Sequence, residues 1–223
     1  MTRAELDAAA EREPVNGWLH VVGSVLATIG LVALVVAAGE RGSVRHAVAL
    51  GVFGASAVFM FTASALYHLR SRSSRASLLR RLDHAMIFVY IAGTYTPVCL
   101  LVLRGSWASY TLLGAAWALA AVGVVRKLLA SPGPRGLSTA LYVAMGWMGV
   151  LAFPALRAAA PPGLLYGLVA GGVLYTVGAM VYLARWPRGR PGVFGFHELW
   201  HVFVIAASAT HYWAIFRYAV PAA

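Results

Sequence analysis

Seven stretches of the chain stay apolar for about twenty residues each, the length a helix needs to cross a bilayer. They run 18–38, 46–68, 84–103, 107–125, 137–156, 163–184 and 196–216. The breaks between them carry helix-ending chemistry. Gly39–Gly42 ends the first, and Arg104–Ser106 separates the third from the fourth. Ser131-Pro132-Gly133-Pro134 precedes the fifth, Pro161-Pro162-Gly163 opens the sixth, and Trp186-Pro187 with Pro191-Gly192 precedes the seventh. Membrane strands would be about ten residues long and alternate in polarity, and no segment does so. Uninterrupted apolar runs satisfy their backbone polar groups within the segment only as helices. The pattern predicts an all-α, integral membrane, seven-helix bundle. A short tail (residues 1–16) precedes it and another (218–223) follows.

Composition removes the soluble alternatives. Of 223 residues, 61% are hydrophobic and only 11% charged, where soluble domains carry about 25% charge. Disorder needs the opposite balance. The net charge of +11 comes from short basic clusters between apolar runs. These set topology and meet anionic headgroups rather than nucleic acid. Of the 18 Lys and Arg, 13 fall in the N-terminal tail and the second, fourth and sixth loops. The positive-inside rule therefore predicts a cytoplasmic N-terminus and an external C-terminus. The N-terminal tail is too long and too acidic for a cleaved signal, so no cleavage is expected. The single cysteine, Cys99, excludes an intrachain disulfide and a cysteine-based metal cluster.

Ionisable residues in spans are costly and point to function. On this topology four helices place such groups at one depth, the cytoplasmic end. They are His20 in the first, one turn after the polar Asn16, His68 in the second, Asp83 and His84 in the third, and His197, Glu198 and His201 in the seventh. His197 and His201 lie at i and i+4 on one helical face, a spacing at which two imidazoles can bind one metal ion. The alternative is that they hydrogen-bond neighbouring helices at the interface. His68 is the best-placed third ligand, and equally an interfacial histidine beside the basic loop. Ser64, one turn before it, either contributes to the site or bonds its own helix backbone. Asp83 is the nearby acid besides Glu198; it also suits pairing with Arg80 or Arg81, or an N-cap. His84 steps about 100° round the helix from Asp83 and is read as structural. Asn16 and His20 join Ser24 and Thr28 in a polar stripe of the helix-packing kind. His46 and His211 lie towards the other end and are not expected to be ligands.

These residues fall in a recognisable order. Asn16-Gly17-Trp18-Leu19-His20, Ser64-Ala65-Leu66-Tyr67-His68, Leu82-Asp83-His84 with Ile91-Ala92-Gly93-Thr94-Tyr95-Thr96-Pro97, and Phe196-His197-Glu198-Leu199-Trp200-His201 with His211 span nearly the whole chain. In this arrangement the chain resembles the hemolysin III family of the progestin and adipoQ receptor superfamily. The resemblance implies a seven-helix bundle with its N-terminus inside, in the plasma membrane, and a zinc ion near the cytoplasmic side held by His68, His197 and His201. It also implies that Asp83 hydrogen-bonds the water at the metal, with Ser64 beside it. Related alkaline ceramidases hydrolyse a lipid amide with a similar arrangement. Adiponectin receptors have Gln where Glu198 stands, which favours Asp83 over Glu198 as the base.

The expected function is a zinc-dependent hydrolase of a membrane lipid amide or ester, with Asp83 and Ser64 catalytic and membrane lipids as partners. Three rivals stand beside it. One is a receptor-like membrane homeostasis protein with structural zinc. The second is a pore-forming cytolysin, against which the sparse charge along the spans argues. The third is an intramembrane protease built on His197-Glu198-x-x-His201, which would need a later acidic ligand that the chain lacks.

Overall fold

The computed structural model describes residues 14–70, 74–129, 134–189 and 194–221. The N-terminal tail up to residue 13, the Pro-Gly breaks at 131–133 and 191–192, Arg72 and Arg190 lie outside the described residues. Seven helices are long and apolar enough to cross a membrane. They are α1 Val15–Glu40, α2 Val44–Leu69, α3 Ala76–Val102, α4 Trp107–Leu129, α5 Arg135–Ala159, α6 Pro162–Ala184 and α7 Phe196–Ala219. The protein is a multi-pass membrane protein.

The largest departure from the apolar pattern is the start of α3. It begins at Ala76, eight residues before the expected boundary at 84. Arginine-containing turns do not break a helix, because Arg and Leu are good helix formers. Arg81 here donates from its guanidinium to the Leu128 carbonyl at the end of α4, satisfying a helix C-terminus. Asp83 is therefore two turns inside α3 rather than at its N-cap. At α1 the helix likewise includes Asn16, assigned above to the tail.

Successive helices from α1 to α4 are neighbours, α6 lies along α7, and α7 closes back onto α1. The interior helix is α3, with 67% of its apolar window buried against 22% for α1. The outer face of α1 carries Trp18, Val22, Val25, Leu26, Ile29, Val32 and Val36, all exposed. Such a surface has no place in water and suits lipid. The tight turns after α1 and α3 use Gly42 (φ 60°) and Gly105 (φ 74°), left-handed conformations that glycine adopts without a Cβ penalty.

Apolar burial does not discriminate between helix partners in lipid, so small residues and polar bridges do much of the packing. A Cβ on Gly93 of α3 would run into Ser56 of α2, and one on Gly171 of α6 would meet the His211 ring. Tyr175 and Ser208 hydrogen-bond across α6 and α7 at 2.7 Å, and Tyr90 of α3 bonds to the same pair. Pro97 lacks an amide hydrogen, and α3 continues beyond it as a π-helical turn, Val98–Val102. The Cys99 carbonyl in that turn accepts from Ser109 of α4 at 2.8 Å. In α5 the helix tightens to a 3₁₀ turn over Met148–Ala152. The Tyr95 hydroxyl serves this break, donating towards the carbonyls of Met145 (2.8 Å) and Gly146 (2.9 Å) and accepting from the Gly149 amide (3.0 Å).

Candidate metal centre

The site forms where the C-terminal end of α2 meets the N-terminal end of α7. His68 lies one residue before the last of α2, and His197 and His201 occupy the first two turns of α7. All three are buried. One ring nitrogen from each lies within 4.8 Å of the other two. The rings stand apart in a revealing way. Centroids are 5.1 Å for His68–His197, 5.0 Å for His68–His201 and 4.7 Å for His197–His201, with interplanar angles of 78°, 73° and 88°. Imidazoles bound to one tetrahedral ion at metal–nitrogen distances of about 2.0–2.1 Å place their centroids roughly 5 Å apart. The donor set therefore fits a metal ion.

Aromatic rings enclose the group. Tyr67 lies beside His68 at 4.8 Å, and Tyr182 meets His197 edge-on at 5.7 Å. The Arg135 guanidinium sits over the outer side of the Tyr182 ring at 4.7 Å. His20 of α1 stacks on His201 with centroids 3.9 Å apart and planes 20° apart. Asn16, one turn before it, is fully buried.

Ser64 and Asp83 take different positions. Ser64 lies one turn before His68 on α2 and is 2% exposed. Asp83 is not among the atoms that converge within 4.8 Å. Its carboxylate lies 3.6 Å from His84 Nδ1 and feels the charge of Lys127 on α4.

A family model described as haemolysin-III related matches residues 8–212. The chain belongs to that family. Hemolysin-3 of Bacillus cereus is 33% identical over 96% of this chain and 94% of its own length. The hemolysin-3 homolog of Bacillus subtilis (strain 168) is 33% identical over 94% and 95%. The rice heptahelical transmembrane protein ADIPOR2 is 35% identical over 74% and 79%, so the likeness extends to the progestin and adipoQ receptor superfamily.

Three further ionisable groups of this haemolysin-III related protein have structural partners. Glu198, although between two of the three histidines, turns back to accept the Gly195 amide at 2.8 Å at the start of α7, the acidic half of a capping box. His84 bonds the Arg80 carbonyl at 2.8 Å, and its own carbonyl accepts from Tyr142 at 2.9 Å. The 100° step does not hold it away from Asp83, because both side chains lean back towards the preceding turn. His211 bonds the Leu168 carbonyl at 3.0 Å. Neither His211 nor His46 joins the metal group. What the reading of the residues missed is the contact of His20 with His201. The signal was its shared depth, but its i+4 neighbours Ser24 and Asn16 pointed to packing. Ser24 does pack in that way, bonding Thr62 of α2 at 2.7 Å.

Proposed function

We propose that the protein is a zinc-dependent hydrolase acting on a lipid amide or ester that enters from the bilayer, with its site at the cytoplasmic face of the plasma membrane. The observation that carries this reading is the convergence of three buried imidazoles, His68, His197 and His201, with one ring nitrogen of each within 4.8 Å of the others. His68, His197 and His201 would hold the zinc, which in a three-histidine site would supply Lewis-acid activation of water.

The chain's own residues divide the rest of the work. The Asp83 carboxylate takes the proton from the attacking water and returns it to the leaving amine or alcohol. It comes from the interior helix α3 and sits at the same end of the bundle. The Ser64 hydroxyl donates to the oxygen that gains charge during attack. The rings of Tyr67 and Tyr182 exclude bulk water, which strengthens each of these interactions. Glu198 is not assigned the base, since its Oε2 holds the Gly195 amide.

Metal content of the purified, detergent-solubilised protein tests the centre directly. About one zinc per chain is expected in the wild type and none in His68→Ala or His197→Ala. Asp83→Ala should keep its metal and lose lipid-amide hydrolysis by a factor of about 10²–10⁴. Folded protein never exposed to chelator and yet free of metal would overturn the hydrolase reading. Full hydrolysis by Asp83→Ala would remove that residue from the mechanism.

A further inference from the structure

His20 is 3% exposed, and neither of its ring nitrogens has a hydrogen-bond partner among the described residues. A buried imidazole must have at least one N–H to donate or one lone pair to fill. In a bilayer, where no bulk water reaches the group, leaving both sites empty is costly. Such an orphan needs a partner that is not part of the protein. The surroundings limit what that partner is. One side of the ring faces the edge of Phe61 at 5.2 Å, which offers no polar atom. The other face lies flat on His201, 3.9 Å away, and the ring is within electrostatic reach of His68.

That stack also settles what His20 is not. Two imidazoles bound radially to one tetrahedral ion hold their centroids roughly 5 Å apart, as the three converging rings do. At 3.9 Å and nearly parallel, His20 and His201 cannot both point at the same ion. The stack holds the His20 ring against one member of the group, within electrostatic reach of a second, His68. The group it can reach is whatever fills the position the three ligands leave open.

We infer that His20 is a fourth, non-ligating imidazole of the centre, which hydrogen-bonds the polar head of the molecule bound at the open position. The head it suits is a carbonyl, hydroxyl or hydroxamate oxygen, or an amide N–H, because an imidazole both donates and accepts. The stack on His201 fixes its place, and Gly17 and Gly23 on the same helix let α1 approach α2 closely, since a Cβ at either would run into Leu69 or Phe61. This inference rests on the proposed metal centre.

The test is binding of acetohydroxamate to the metal-loaded, full-length protein in detergent, read by titration calorimetry beside metal content. His20→Phe keeps a ring for the stack and removes both nitrogens. It should hold about one metal per chain and bind acetohydroxamate roughly tenfold or more weakly. His20→Gln, which can donate and accept, should recover most of the affinity. His20→Leu replaces the Phe variant if that does not fold. Equal affinity in wild type and in the folded Phe or Leu variant overturns the inference while leaving the metal centre intact. Loss of metal from that variant, with His20→Gln retaining it, overturns the non-ligating assignment. A wild type without metal removes the centre itself, and this inference with it.

Discussion

Glu198 shows how a single residue can be misread from its neighbours. Flanked by His197 and His201, it completes a string in which glutamate would act as a general base. Its Oε2 instead accepts the Gly195 amide, filling one of the four amide donors that every helix N-terminus leaves open. The consequence is measurable. Glu198→Ala should lower stability by about 0.5–2 kcal/mol through loss of the cap, seen as a lower melting midpoint in detergent. Glu198→Gln keeps an acceptor oxygen and should retain both most of the midpoint and the bound metal. Metal loss in Glu198→Gln would mean that the carboxylate serves the centre after all. His68 is the converse case. Its spacing left it open between ligand and interfacial histidine, and the meeting of the ends of α2 and α7, a long-range contact, brings it into a group with His197 and His201 that could hold a metal.

At the scale of elements, the apolar runs mark every spanning helix, because hydrophobic length alone decides what can cross a bilayer. They mark the ends less well. α3 gains two turns over its apolar segment because charged residues continue a helix wherever the preceding turn accepts their amides. Internal departures from α-geometry were also hidden. Nothing in Met148–Ala152 announces a 3₁₀ turn; it depends on Tyr95, more than fifty positions earlier in the chain. Tyr95→Phe removes the hydroxyl and with it the bonds to the Met145 and Gly146 carbonyls and to the Gly149 amide. A loss of about 1–3 kcal/mol is expected, with faster amide exchange confined to the middle of α5. Unchanged exchange there would show that the 3₁₀ turn holds itself.

For the whole molecule, the charge asymmetry is the one global property written directly in composition. It predicts a definite labelling pattern in intact cells. Cys99, being fully buried, should stay silent. Arg41→Cys, exposed on the α1–α2 turn, should react with a membrane-impermeant maleimide added outside. Arg188→Cys, exposed on the α6–α7 connection, should react only after permeabilisation. The reverse pattern would place the histidine centre at the outer face. Sequence by itself determined the solvent, the number of spans and the depth at which the histidines lie, because hydrophobic length, charge balance and helical periodicity are properties of local segments. Only the tertiary structure decided that α1 closes against α7. Lipid rewards no apolar pairing over another, so helix partners are chosen by glycine clearances and hydrogen bonds between side chains distant in sequence. That closure puts His20 on the face of His201, while the meeting of α2 and α7 gathers His68, His197 and His201 into a group that could hold a metal ion.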